Sequence, residues 1–165
     1  MKKTAQTRSR WAGLWLLAVL AGPACAALPE GVEPLERFPR AAVEVASGQA
    51  RHRFEAWIAD TPSRRVQGLM YVRELDPGRG MLFLSSRPDY ANFWMANTYV
   101  SLDLLFIAPD GRIVNIIERA EPLSTNPLLS TAPVAGVLEL LGGTAERLGI
   151  RPGDRVLHPA FHSSR

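Results

Sequence analysis

Short apolar segments separated by turn-forming residues follow one another along the chain from residue 42 to residue 157. The clearest pair, residues 102–108 and 112–118, is joined by Pro109-Asp110-Gly111, which fits a tight turn between two strands. Segments of this length match β-strands and are too short for core helices. About seven to nine strands are predicted in this way, so we expect a mainly β fold, either a jelly-roll-like β-sandwich or a partly closed barrel with two short helices.

Two stretches carry helix signals instead. Thr61 followed by Pro62 predicts a helix from residue 62 to about residue 71, because threonine caps helices well and proline suits the first helical position. Thr144 follows a pair of glycines and is predicted to cap a second helix that ends at Leu148.

The first 26 residues have the three parts of a secretory signal peptide. Four basic residues and no acid occupy positions 1–10, an uncharged and mostly apolar run covers 11–21, and Ala24-Cys25-Ala26 offers the small residues that a signal peptidase reads. The apolar run is about half as long as the roughly 20 residues of a membrane-spanning helix. We therefore predict a cleaved signal peptide at 1–26, a periplasmic or secreted protein, and no stable membrane span after cleavage.

Beyond the signal peptide, the chain is predicted to form a single domain with looser ends. Residues 27–40 contain three prolines and are predicted to be a flexible arm. Residues 41–157 hold all the predicted strands and helices in one β-rich domain. Residues 158–165 are predicted to form a tail.

Composition after cleavage excludes several classes of function. Cys25 is the only cysteine and would leave with the signal peptide, so no disulfide, thiol nucleophile or thiolate metal ligand is expected. The chain has a net charge of +3, but its part after residue 26 carries 15 basic and 16 acidic residues, so no nucleic-acid partner is predicted. The histidines lack metal-ligand spacing, and phosphate-loop and dinucleotide motifs are absent, so no cofactor is predicted.

Several motifs occur along the domain in a characteristic order and spacing. They are Arg-Val-Gln-Gly-Leu-Met at 65–70, Gly-Met-Leu-Phe at 80–83, Phe-Trp-Met-Ala-Asn-Thr at 93–98, Leu-Asp-Leu-Leu-Phe-Ile at 102–107, Asp-Gly-Arg-Ile-Val at 110–114, Glu-Pro at 121–122, and Leu-Glu-Leu at 138–140 with Gly-Thr at 143–144. From about residue 43 to residue 156, this set resembles the domain of unknown function family numbered 192. The resemblance implies a compact, jelly-roll-like β fold and no established activity.

Two positions depart from the pattern of that family. Its members usually carry lysine where this chain has Ala96, and proline where it has Ser101. If the lysine serves a ligand anion in the family, that role is weakened or lost in this chain.

Asp103 is the most informative polar residue, because the segment around it is otherwise typical of a buried strand. An isolated buried carboxylate is very costly, so Asp103 should be paired or neutral, and Arg65 is the nearest natural partner. One interpretation is a structural ion pair. The other is a polar site formed by Arg65, Asn97 and Asp103, with Glu139 as a further candidate.

Trp94 lies between two apolar residues, and strand alternation places Phe93 and Met95 on the face opposite to it. Trp94 therefore belongs either to the core or to the wall of a cleft, where it would suit a sugar or peptide. We predict a non-catalytic domain that binds an unknown small ligand or an envelope protein. In this interpretation Arg65 and Asp103 set the polarity of the site, Asn97 orients the ligand and Trp94 supplies apolar contact.

Two alternatives stay open. Asp103 and Glu139 are candidate catalytic residues for a carboxylate-dependent hydrolase of a glycan or a cell-wall substrate, a reaction that needs two acids on either side of one bond. Met70, Met81 and Met95 are candidate ligands for Cu(I), which prefers soft thioethers, although methionine also fills irregular cores.

Overall fold

The computed structural model describes residues 28–161. The predicted signal peptide and the last four residues of the predicted tail lie outside this range. In the part that is described, no helix has both the length and the apolar character needed to cross a membrane.

The described chain is mainly β, with two short α-helices and one 3-10 turn at Leu35–Arg37. The elements in chain order are β1 (Arg40–Ser47), β2 (Ala50–Ala59), α1 (Pro62–Gln67), β3 (Arg79–Asp89), β4 (Asn92–Phe93), β5 (Leu102–Ile107), β6 (Ile113–Ala120), β7 (Leu128–Leu129), β8 (Val134–Leu141), α2 (Thr144–Leu148) and β9 (Arg155–Leu157). The fold class predicted from the sequence is confirmed.

Seven strands form one sheet in the order β6-β5-β8-β3-β2-β1-β9, and β4 pairs with β7 in a small separate ribbon. All neighbours in the large sheet are antiparallel except β2 and β3, which α1 connects as a crossover. Its two edges meet at one end, where the Val156 N–H donates to the Gly111 carbonyl and the Ile113 N–H to the Asp154 carbonyl, both at 2.8 Å. The sheet is therefore a partly closed barrel.

The predicted turn between β5 and β6 lies at this closure. The Gly111 N–H donates to the Ala108 carbonyl at 2.9 Å, and Gly111 has a φ of +85°. A Cβ atom there would lie 2.6 Å from the Val156 carbonyl oxygen. Glycine is therefore required at this position both for its left-handed backbone and for the close approach of β9.

The large sheet carries an apolar core on each face. Along β5, Leu104 belongs to the core that also contains Leu69, which follows α1, and we call this the α1-side core. Leu105 belongs to the core that contains Ala145 of α2, the α2-side core. Strands buried on both faces are apolar almost throughout, which is why β5 and β8 lack the usual alternation of apolar and polar residues.

The ends of the helices differ from the sequence prediction. The hydroxyl of Thr61 caps α1 as expected, accepting from the Arg64 N–H at 3.3 Å, but α1 ends at Gln67 because Gly68 adopts φ +52° and ψ −137°. Gly143, not Thr144, occupies the N-cap position of α2 and has no side chain to cap it.

Residues 33–38 of the predicted arm pack against α1. Gln67 exchanges two hydrogen bonds with the backbone of Glu33, at 2.8 and 2.7 Å. The guanidinium of Arg64 donates to both carboxylate oxygens of Glu33, at 3.1 and 2.8 Å, and lies 5.1 Å from the centre of the buried Phe38 ring. These contacts tie the segment to the outer side of α1.

Candidate functional site

A cleft of about 360 Å³ opens beside α1, over the α1-side core. We call it the α1 cleft. Its lining comes from α1 and the residues after it, from β3, from the β4 region and from β8. The lining residues are Pro62, Arg65, Val66, Gln67, Gly68, Leu69, Met70, Phe83, Asn92, Phe93, Trp94, Thr98 and Glu139.

Aromatic rings form much of the wall of the cleft. The rings of Phe83 and Phe93 meet edge to face, with centroids 4.9 Å apart and planes at 87°. Trp94 is 47% exposed and lines the cleft. Of the two positions expected for it, the core and the wall of a cleft, the structure shows the second. Met95, the next residue, is buried, whereas Phe93 lines the cleft together with Trp94.

The backbone at Gly68 brings the end of α1 against this wall. A Cβ atom on Gly68 would lie 3.2 Å from the ring of Phe83, and the φ and ψ angles of Gly68 belong to a region that side chains avoid. Glycine at this position therefore sets both the end of the helix and the width of the cleft.

Glu139 lies at the base of the cleft. It sits on β8 opposite Met81 of β3 and Leu104 of β5, and it is only 5% exposed. Its Oε2 atom has no hydrogen-bond partner among the described residues. Burial raises the pKa of Glu139 to about 8, so the side chain is mostly a neutral carboxylic acid at pH 7. Such a group can donate a hydrogen bond, or it can pair with a cation after losing its proton.

Asp103 lies on the opposite face of the sheet and is fully satisfied there. Its Oδ1 accepts from the N–H groups of Arg119 and Gly143 at 2.8 and 2.9 Å, and its Oδ2 accepts from the Ala145 N–H at 2.7 Å. The Arg119 N–H reaches it through an irregularity in β6, where Arg119 has a φ of +48°. Asp103 thus supplies the cap that α2 lacks.

The expected pairing of Arg65 with Asp103 is wrong. Arg65 is exposed at the cleft, where its Nη1 donates to the Asp60 carbonyl at 2.9 Å and reaches the Leu84 carbonyl at 3.5 Å. A carboxylate surrounded by N–H groups needs no ionic partner, which explains how the buried Asp103 is tolerated.

The pairing of Asp103 with Glu139 as acid and base is also excluded. In the register of β5 and β8, Asp103 is opposite Leu140, and Glu139 is opposite Leu104. Paired residues point to the same face, so the two carboxyl groups lie on different faces, with the sheet between them. They cannot act on the same bond.

The remaining predicted site residues are divided between the cleft and its surroundings. Asn97 does not line the cleft. It is exposed, has a φ of +58°, and its Nδ2 lies 4.0 Å from the sulfur of Met70. Met70 lines the cleft, whereas Met81 and Met95 are buried in the α1-side core, where they fill space between apolar neighbours. Among residues 28–161, no three His, Cys, Asp or Glu side chains gather in a group that could hold a metal ion.

Sequence reasoning underrated Glu139 and missed the phenylalanine wall. Alternation along Val137-Leu138-Glu139-Leu140 was compatible with a solvent-facing glutamate, but β8 is covered on both faces. The sequence feature that indicates a buried Glu139 is its position as the single acid in the strand Val134–Leu141, whose other residues are all apolar or glycine. The same signal singled out Asp103.

Comparisons with known proteins give a family and two solved structures. Residues 43–158 match the family DUF192, described as an uncharacterized ACR. A Sinorhizobium meliloti protein described as a putative transcription regulator is 44% identical, with a TM-score of 0.71 over 73% of this chain and 94% of that one. A Novosphingobium aromaticivorans protein of unknown function is 39% identical, with a TM-score of 0.74 over 89% of this chain and 100% of that one. No curated protein matches the chain.

Proposed function

The chain belongs to the uncharacterized DUF192 family, and we propose that it is an exported, non-catalytic domain that binds a small ligand in the α1 cleft. The observation that carries this proposal is Glu139, a buried acid without a hydrogen-bond partner among the described residues, at the base of an open cleft. Burying such a group costs free energy, so its presence favours a ligand that supplies the partner.

The size and lining of the cleft support a small molecule. Its volume of about 360 Å³ lies at the lower end of the range of ligand pockets. The wall is mostly apolar and aromatic, with few polar groups, which is the usual composition of such pockets. Trp94 is half exposed at the cleft, so it has free surface to cover a bound ligand.

The proposal of binding rather than catalysis follows from the position of the acids. A glycosidic hydrolase needs two carboxyl groups around one bond, and the sheet separates Asp103 from Glu139. Glu139 alone can hold a ligand and exchange a proton with it.

Export is supported by the N-terminal sequence. The basic start, the short apolar run and Ala24-Cys25-Ala26 are the features of a cleaved signal peptide. Expression of the full chain in a Gram-negative host, followed by N-terminal sequencing of the periplasmic protein, tests this part. We expect the sequence to start at Ala27. A full-length protein confined to the cytoplasm would contradict export.

Ligand binding is tested on the exported protein by a thermal-shift screen with small charged and neutral molecules. A ligand at about 100 times its Kd adds roughly 2.7 kcal/mol of stability. Hits should weaken in Trp94→Ala and Glu139→Gln, but not in Tyr90→Ala, which removes an exposed aromatic ring outside the cleft. If nothing binds, or if hits are indifferent to both cleft variants, the proposal of a small ligand fails and an envelope protein becomes the partner to seek.

A further inference from the structure

We propose that the ligand of the α1 cleft is an organic cation, an alkyl- or arylammonium whose charged head meets Glu139 between aromatic rings. This inference rests on the proposed ligand-binding function and names the chemical class of the ligand. It is carried by three features: one buried acid opposed only by an exposed arginine, a set of aromatic rings, and the absence of lysine among residues 28–161.

The first feature is that the buried ionisable group of the cleft, Glu139, can carry only a negative charge. Arg65 and Glu139 are the two ionisable residues that line the cleft. Glu139 is buried, whereas Arg65 is exposed and its guanidinium is engaged by a backbone carbonyl. Interactions with a buried charge are screened far less than interactions with an exposed one, so Glu139 determines which charge the base of the cleft accepts.

The second feature is the aromatic wall. Phe83 and Phe93 stand at 87° to each other, and Trp94, which follows Phe93 in the chain, also lines the cleft. The faces of aromatic rings carry negative potential and attract ammonium groups, most strongly where water is excluded. Rings around a single acid are suited to a cation and unfavourable for an anion.

The third feature is that the described chain has no ammonium of its own to offer. Residues 28–161 contain no lysine, and their basic side chains are all arginine or histidine. The neighbours of Glu139 across β3 and β5 are Met81 and Leu104, which carry no charge. No ammonium group of the described residues is therefore available to an ionised Glu139, and an organic cation bound in the cleft would supply one.

The affinity of the cleft should depend on pH in opposite ways for a cationic ligand and for a neutral hydrogen-bond acceptor. A cation binds the ionised form of Glu139 and releases its proton to solvent, so apparent affinity should rise about tenfold per pH unit up to the pKa of about 8 and then level off. An acceptor binds the protonated form, so its affinity should fall above that pKa. Arg65 is the other charged group that lines the cleft.

The test uses three probes of similar size on the exported protein: benzyltrimethylammonium, phenylacetamide and phenylacetate. Affinities are measured by calorimetry at pH 6, 7, 8 and 9, a range in which none of the three probes changes its charge. We expect benzyltrimethylammonium to bind at least tenfold more tightly than the other two at pH 8, with affinity rising from pH 6 to pH 8.

Variants separate the charge from the apolar contact. Glu139→Gln should reduce the affinity for benzyltrimethylammonium at least tenfold and remove its pH dependence. Trp94→Ala should weaken binding while keeping the pH dependence, and Arg65→Gln, which removes the positive charge from the lining, should tighten it. Because Trp94 and Arg65 are exposed, these two variants remain informative even if Glu139→Gln does not fold.

The outcomes distinguish the two levels of the proposal. Tighter binding of phenylacetamide or phenylacetate, or an affinity for the cation that falls with pH, overturns the cation and leaves a ligand site. Failure of all three probes, while other molecules from the screen bind in the cleft, overturns it as well. Failure of every molecule at the cleft overturns both the cation and the proposed function.

Discussion

Two buried acids lie on neighbouring strands of the same sheet in opposite environments. Asp103, on the α2 side, is fully buried and accepts hydrogen bonds from the N–H groups of Arg119, Gly143 and Ala145. Glu139, on the α1 side, has an Oε2 atom without a partner among the described residues, and burial raises its pKa. Burial alone therefore does not indicate the role of an acid. The donors around it do.

This difference in hydrogen bonding distinguishes an acid that stabilises the fold from an acid that is suited to bind a ligand. A carboxylate that accepts several backbone N–H bonds holds structure together, because removing it leaves buried donors without acceptors. A buried carboxyl without donors lowers stability and persists where a ligand can use it. We expect substitutions at the two positions to change stability in opposite directions.

The largest expected effect is a pH-dependent gain of stability in Glu139→Leu. In the unfolded chain Glu139 ionises near pH 4.5, whereas in the folded protein it keeps its proton to about pH 8. Wild-type stability is therefore lost as the pH rises through this window, and the variant escapes that loss. Relative to wild type, Glu139→Leu should gain on the order of 4 kcal/mol between pH 4.5 and pH 9.

Urea denaturation of both proteins across this pH range measures the gain, with Glu121→Gln as an exposed control. A difference between Glu139→Leu and wild type that does not change with pH would show that Glu139 is solvated or paired. The inferred difference between Asp103 and Glu139 would then be wrong.

The next effect is a loss of stability in Asp103→Ala of about 3 kcal/mol, since buried N–H groups at α2 lose their acceptor. The matched control is Asp110→Ala, at a half-buried acid that accepts from the Arg112 N–H at 3.0 Å in a turn, for which less than about 1 kcal/mol is expected. Denaturant midpoints measure both. Loss of ligand binding in a folded Asp103→Ala protein of unchanged stability would assign Asp103 to the binding site after all.

A smaller loss of about 2 kcal/mol is expected for Gly68→Ala, from strain in a backbone conformation that alanine avoids. The added methyl group also approaches the Phe83 ring at the cleft, so ligand affinity should fall together with stability. Gly149→Ala, which also has a positive φ but has open space around it, is the control. The Gly149→Ala variant should lose stability and keep its ligand affinity. Equal losses of affinity in both variants would show that Gly68 has no specific effect on the cleft.

The smallest effect on stability is expected for Glu33→Gln, at a partly exposed acid whose pKa is lowered mainly by its hydrogen bonds to Arg64. Arg64 lies on α1, which forms one wall of the cleft, so weakening the pair should loosen that wall and reduce ligand affinity modestly. Glu30→Gln is a nearby exposed control. If Glu33→Gln lowers the melting temperature as much as Gly68→Ala does, residues 33–38 have a larger part in the fold than we infer.

The strands and the turns could be predicted from local sequence. The turn after Ala108 and the cap of α1 agree with the prediction, because each depends on residues close in the chain. The strand alternation expected at 93–95 is wrong, because the strand ends at Phe93 and the following backbone pairs elsewhere, with the Met95 N–H donating to the Ser124 carbonyl at 2.9 Å. That partner is distant in the chain and leaves no local signal.

The candidate site was predicted only in part, for the same reason. Arg65 and Trp94 do line the cleft, but the hydrogen-bond partners of Asp103 are not the expected Arg65. Those partners are backbone groups up to 42 residues away, which no side-chain pattern reveals.

The sequence by itself determined that the chain forms a small mainly β domain, that it resembles one family, and that two acids lie inside apolar strands. Only the tertiary structure decided which acid is satisfied. Strand alternation relates side chains within one strand, whereas the face that Asp103 or Glu139 occupies relative to the other depends on the register of β5 and β8 and on what covers each side. Those are properties of the packed sheet, because α1 and α2 reach its two faces from distant parts of the chain.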